Sequence, residues 1–198
     1  MAERAAKKKE MKKNAAPNKN SGPDRPLNDV ARLNLKVGKI VEAWEHPESE
    51  KLWCEKIDVG EGELRQIASG LRKTHSKADM EGKMVVVCCN LKARKLAGFE
   101  SQGMVMCAEN ADASVINFLT PPEGAKLGDR VVCDGQDGEP DERLSEKKDK
   151  KPWEVIAPNL HTVAGADGIA HASYDGRVFS VAGKPITCGN LPAKSIIK

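Results

Sequence analysis

Apolar residues in this chain recur mostly at every second position, in short runs separated by turn residues, which is the signature of half-buried strands. Leu33, Leu35 and Val37 alternate, and Ile40 then falls out of step, so a bulge at Gly38 is predicted to bend a long first strand. Leu52 to Val59 alternates well enough for a second strand, and Gly60-Glu61-Gly62 closes it with a hairpin turn. Leu64 to Ser69 reads as the third. His75 to Gly82, with Ser76, Ala78 and Met80, reads as a short helix or turn. Met84 to Asn90 is apolar on both faces, which predicts a central strand covered on both sides. Gly103 to Glu109 and Val115 to Leu119 are further strands, and Pro121, Pro122, Gly124 and Gly128 mark loops.

Five or six short strands with one helical insert, in roughly 100 residues, predict a small closed barrel. An oligonucleotide/oligosaccharide-binding barrel, the five-stranded OB-fold, leads, with a sandwich as the alternative. Asp134 to Lys151 lacks apolar periodicity apart from Leu144 and reads as a boundary loop. A second unit starts at Pro152-Trp153-Glu154, where Pro stands at the first helical position, and Pro158 ends that helix. Strands follow at Ile169–Tyr174, Arg177–Val181 and Pro185–Cys188, the first two joined by an Asp175-Gly176 hairpin signal. So short a unit cannot build a robust core of its own and is predicted to pack on the barrel. The division is then a tail over 1–28, a barrel domain over 29–134 and a small β-rich domain over 135–198.

Charge sharpens this picture. The 198 residues carry 32 Lys/Arg against 29 Asp/Glu, a net charge of +3. Residues 1–28 hold eight basic and three acidic groups, and residues 65–95 again hold eight basic groups against only Asp79 and Glu81. A basic island on an otherwise acidic body is the footprint of a polyanion site, to be weighed against a plain solvated surface. Met1 to Pro26 contains no Leu, Ile, Val or aromatic residue and cannot build a core, so it reads as disordered, either a nonspecific RNA contact or a linker. The longest apolar run, Met84 to Cys89, is far shorter than the roughly 20 residues a membrane helix needs. No signal peptide is visible, and six irregularly spaced Cys read as reduced structural thiols, which places the protein in the cytoplasm.

No catalytic constellation stands out. The nucleophile-elbow, phosphate-loop and dinucleotide-binding motifs are absent, and His46, His75, His161 and His171 show no metal-ligand spacing with a Cys pair, so neither an enzyme, a cofactor nor a metal site is expected. The informative stretch is Asn90 to Met104. Lys92, Arg94 and Lys95 fall in a turn just after the central strand. Gly98 and Gly103 let a partner's backbone approach, and Asn90, Ser101 and Gln102 offer neutral hydrogen bonds to phosphate or ribose oxygens. Arg72, Lys73, Lys77 and Lys83 broaden the footprint.

These residues carry a family resemblance. Asp29 to Ile40, His46-Pro47-Glu48-Ser49-Glu50-Lys51-Leu52, Ile57-Asp58-Val59-Gly60, Ala68-Ser69-Gly70-Leu71 and Asn90 to Met104, in that order, resemble the tRNA-binding domain family. That family includes endothelial monocyte-activating polypeptide II, the yeast synthetase cofactor and the C-terminal extensions of some tyrosyl- and methionyl-tRNA synthetases. The likeness continues through Trp153-Glu154 and Pro158-Asn159-Leu160-His161-Thr162 to Ile197-Lys198, a stretch similar to the C-terminal domain of the eukaryotic members only. Trp53 departs from the Tyr of many members, and Glu100 sets an acid beside the anion loop. The resemblance implies an OB-fold that grips tRNA by shape and backbone, assists an aminoacyl-tRNA synthetase without catalysis, and works as a pseudo-dimeric monomer. It also implies one alternative, a released cytokine-like polypeptide; a scaffold whose tail or C-terminal unit docks a synthetase, with RNA binding secondary, is a further reading compatible with tRNA binding. The cytokine-associated stretch of the mammalian member aligns with Leu35 to Val41, whose apolar residues are expected to serve the first strand.

Overall fold

The computed structural model describes residues 25–136, 138–148 and 150–198. Nearly all of the Lys-rich tail, with the expectation of disorder placed on it, lies outside them. The strands are β1 (Leu35–Glu45), β2 (Trp53–Asp58), β3 (Arg65–Ser69), β4 (Met84–Cys88), β5 (Arg94–Leu96), β6 (Phe99–Ser101), β7 (Met104–Val105), β8 (Cys107–Glu109) and β9 (Ile116–Phe118). They continue as β10 (Val132–Cys133), β11 (Leu160–Ala164), β12 (Ala170–Tyr174), β13 (Arg177–Val181), β14 (Lys184–Pro185) and β15 (Ile196–Ile197). Among the described residues, two short helices, α1 (Lys77–Met80) and α2 (Pro152–Ile156), complete the set apart from single 3-10 turns.

β1 organises the barrel because it is long enough to serve two neighbours. Its first half pairs with β4, from Leu35 opposite Cys88 to Lys39 opposite Met84, and its second half with β2, from Lys39 opposite Asp58 to Glu45 opposite Trp53. The register slips between Ile40 and Glu42, so the irregularity falls at half-exposed Val41 rather than at Gly38. Gly38 serves close packing instead: a Cβ there would stand 3.0 Å from Val59 and 3.1 Å from Ile57 side-chain atoms. The sheet order is β3-β2-β1-β4-β7. It nearly closes where Gln102 N donates to Gln66 O at 2.8 Å. α1 begins at a capping box, in which Ser76 accepts from Asp79 N while the Asp79 carboxylate accepts from Ser76 N.

β4 is apolar on both faces, as its sequence pattern requires. Val85 and Val87 enter the barrel interior with Ile40, Ile57 and Ile67, whereas Val86 and Cys88 join a second core with Leu35, Val37, Ile156, Leu160, Tyr174 and Ile197. The C-terminal unit therefore completes its hydrophobic interior with barrel residues, and the apolar side chains of Leu35, Val37 and Ile40 are all buried. The second sheet runs β10-β13-β12-β11-β15-β8-β9, with β14 on β13. The run Gly103–Glu109, read as one strand, divides at Met106: β7 stays in the barrel sheet and β8 joins the second. Asp175 and Gly176, at φ of 49° and 79°, make the two-residue turn between β12 and β13. The segment from Arg25 to Asn28, read with the tail, is held to the folded body. Arg25 pairs with Asp29 at 2.8 Å, and Tyr174 donates to Asn28 O at 2.6 Å.

Candidate nucleic-acid interface

The segment after β4, read as a turn, is a hairpin. β5 and β6 pair Arg94 with Ser101, Lys95 with Glu100 and Leu96 with Phe99. Ala97 and Gly98 at the tip have φ of 47° and 87°, the geometry of a tight two-residue turn. Paired positions share a face, so Arg94 and Leu96 lie on the same side as Ser101 and Phe99, and Lys95 lies on the other with Glu100.

Several contacts brace this hairpin. Phe99 meets Trp44 of β1 edge-on, with ring centroids 5.9 Å apart, and His46 at 6.1 Å. The buried Ser101 hydroxyl accepts from Ala68 N at 3.1 Å and donates to Gly103 O at 3.0 Å. Arg65 clamps both ends of the segment, donating to Cys89 O and Gln102 O at 2.8 Å each while its guanidinium also pairs with Glu61. Asn90 is buried as well. Its amide donates to Arg32 O and Asp141 O at 2.9 and 2.8 Å, and its oxygen accepts from Asn34 N at 2.9 Å. Asn90 and Ser101 thus shape the hairpin from within, and their polar atoms are committed to protein backbone. Gln102 is exposed, and its side-chain oxygen accepts from Gln66 N at 3.1 Å.

The cations read from the sequence divide by location. Lys92, Arg94 and Lys95 are together on or beside the hairpin, all exposed. Lys92 and Arg94 reach Glu146, at 3.1 and 3.0 Å, and that carboxyl is held below its ordinary range, by Arg94 first and Lys92 next. Lys95 makes no ion pair among the described residues. Arg72, after β3, donates to Ser49 O at 3.0 Å and pairs with Glu45, which makes it a brace for the 46–51 loop, while neighbouring Lys73 is exposed. Lys77 of α1 pairs at 3.3 Å with Glu81, the residue that caps the helix's C-terminal end. Lys83 lines a separate hollow of about 470 Å³ with His75, Asp79 and Phe118.

Between the hairpin and α2 lies a larger groove of about 750 Å³, bordered by Lys92 and Arg94 on one side and Trp153 and Glu154 on the other. Glu146, Lys151 and Trp153 were not singled out as site residues in the sequence, because only the folding of residues 138–148 and 150–154 brings them here. Behind the groove wall, fully buried Glu55 accepts from the Ser69 hydroxyl, and burial pushes its carboxyl up to about 8. The cysteines are free and buried. Burial pushes the Cys88 thiol up to about 12 and Cys107 further, so neither is a nucleophile at neutral pH. Among the described residues no group of His, Cys, Asp and Glu is arranged to hold a metal ion, and no helix is long and apolar enough to cross a membrane.

The nearly closed five-strand barrel joined to a second curled sheet matches tRNA-binding domains in sequence and in fold. The family model described as "Putative tRNA binding domain" matches residues 35–130. The chain is 36% identical to the C-terminal domain of Plasmodium vivax p43, whose crystal structure it matches with a TM-score of 0.76 over 86% of this chain and 99% of that one. It is 42% identical over 184 residues to aminoacyl tRNA synthase complex-interacting multifunctional protein 1 of Cricetulus griseus, covering 93% of this chain and 48% of that protein. It is 41% identical over 159 residues to the cytoplasmic methionine–tRNA ligase of Arabidopsis thaliana, covering 77% of this chain and 20% of the ligase. The chain belongs to the tRNA-binding domain family, and it spans about half the length, or less, of these two full-length relatives.

Proposed function

We propose that this chain is a noncatalytic tRNA-binding module that serves an aminoacyl-tRNA synthetase in the cytoplasm, as a cofactor or as an appended domain, within an assembly of synthetases. The observation that carries the reading is the braced hairpin, which holds Lys92, Arg94 and Lys95 exposed on a frame of buried polar contacts. Cations fixed on such a frame contact backbone phosphates without reading bases, which suits recognition by shape. Lys73, Lys77 and Lys83 extend the contact, Arg72 braces its loop, and Asn90 and Ser101 act by holding the hairpin. The relatives lend support, since one is named for interaction with a synthetase complex and another is itself a synthetase. The C-terminal unit takes the part a second copy would otherwise play, covering the outer face of β4 and β1.

A titration of the chain with unfractionated tRNA at several salt concentrations tests this. With about five to eight phosphates neutralised, log affinity falls against log salt with a slope of roughly −3 to −7. Affinity that stays flat as salt rises rejects the reading.

A further inference from the structure

One carboxylate bridges both cations on the groove side of the hairpin. Glu146 Oε1 lies 3.0 Å from Arg94 Nη2, and its Oε2 lies 3.1 Å from Lys92 Nζ. Two oxygens of a single anion shared between an Arg and a Lys is also how a phosphate presents its non-bridging oxygens. The Arg94 side chain remains 73% exposed, and ion pairs so open to water hold weakly and exchange partners readily. A phosphodiester arriving at the hairpin competes for the same seat.

The groove of about 750 Å³ opens directly beside that seat. Its apolar lining comes from Leu91, Leu96, Met104, Ile116, Leu144 and Trp153. Its size is in the range of small-ligand sites, roughly 300–1,000 Å³, so it admits a planar base with room for the attached ribose. The acids at its edge are already matched within the chain, Glu154 by Lys151 and Glu109 by Lys198. An anion seat and an apolar slot side by side are the two halves of a nucleotide site.

We infer that this groove takes one unstacked base of the bound tRNA, the attached phosphate replacing the Glu146 carboxylate on Lys92 and Arg94. This rests on the tRNA reading above and adds to it: the module reads backbone shape and also requires one unpaired nucleotide near the phosphates it grips. Unstacked loop bases are the parts of a folded RNA that proteins lay against aromatic and apolar side chains, and Trp153 supplies the aromatic face. A protein segment is the competing occupant, and the cations at the rim favour the polyanion.

The test titrates the full chain with unfractionated tRNA and with a fully paired RNA duplex of similar length. Ile116→Trp, which fills the slot, weakens tRNA binding by roughly tenfold and leaves the weaker duplex binding in place. Glu146→Gln, which frees the seat, strengthens tRNA binding by about two- to fivefold. In the unaltered chain, tRNA quenches tryptophan emission more than the duplex does, and Trp153→Phe removes that excess. This last readout does not depend on how Ile116→Trp folds. Wild-type tRNA affinity in Ile116→Trp, or no excess quench, overturns the inference and leaves the groove to a protein segment. If Lys92→Ala with Lys95→Ala weakens tRNA binding in the same series, the tRNA-binding reading stands even then. If that double variant binds as the unaltered chain does, the reading itself fails.

Discussion

The guanidinium of Arg94 lies 3.0 Å from the carboxylate of Glu146, a residue 52 positions further along the chain. The basic hairpin and the segment that joins the two units are therefore tied electrostatically, beside the hydrogen bonds that Leu144 and Asp141 make with Asn90. Because Arg94 and Lys92 hold the Glu146 carboxyl below its ordinary range, the pair stays ionised through neutral pH and responds to salt rather than to mild acid.

Replacing Lys92 and Lys95 together by Ala removes two phosphate contacts. All tRNAs weaken in parallel, and the magnitude of the salt slope falls by roughly 2. Filter-binding titrations on several purified isoacceptors check this, since loss confined to one of them is incompatible with recognition by shape.

Asn90 gives the opposite pattern. Its side chain joins Arg32, Asn34 and Asp141 inside the protein, so Asn90→Ala leaves backbone groups unpaired and lowers stability by about 1–3 kcal/mol. A urea titration measures that loss. The fraction that remains folded binds tRNA with an affinity within roughly threefold of the unaltered chain, because no phosphate contact has been removed.

Glu55 makes stability depend on pH in an unusual direction. Its carboxyl titrates near 4.5 when unfolded and at about 8 in the fold. Below pH 4.5 it is neutral in both states. Between 4.5 and about 8 only the unfolded chain releases the proton, so stability falls as pH rises, by up to ~1.4 kcal/mol per unit from this group, and levels off above about 8. Glu55→Gln keeps a partner for the Ser69 hydroxyl and flattens that slope. Thermal melts from pH 5 to pH 8.5 show the variant gaining on the parent as pH rises. A pH dependence that matches the parent's rejects a neutral buried Glu55.

The chain is a monomer if its C-terminal unit stands in for a second copy. β15 pairs with β8, and Ile197 is buried in the shared core, so that face is already covered. Sedimentation equilibrium at micromolar concentrations gives the mass of one chain, and a concentration-dependent dimer contradicts the assignment.

Much of this architecture was legible in the sequence. Alternation marked β2, the Asp175-Gly176 turn marked β12 and β13, and the two-sided apolar run of β4 announced a strand buried on both faces. The β5–β6 hairpin escaped because most of its positions are exposed and half of them are charged, so no periodicity records its pairing, and Ala97 is not a usual residue for a turn with positive φ. β11 follows directly on Pro158-Asn159, which reads as a stop, and two-residue β15 is too short to carry any pattern. At the site, counting charge found Lys92, Arg94 and Lys95. It did not separate them from Asn90 and Ser101, whose polar groups look like RNA donors in the sequence and turn inward in the fold. Burial decides that difference, Asn90 against Arg32 and Asp141 and Ser101 against Ala68 of β3.

The side chains of β4 alternate between two interiors, Val85 and Val87 on one side and Val86 and Cys88 on the other. Heat therefore has no seam along which to part the molecule, and calorimetry sees one cooperative event rather than two. Residues 29–134 made alone would turn Val86, Leu35 and Val37 out toward water, a greasy flank that invites self-association. What reads in the chain as a barrel with an appendage would then melt as one body, and two resolved transitions would contradict it.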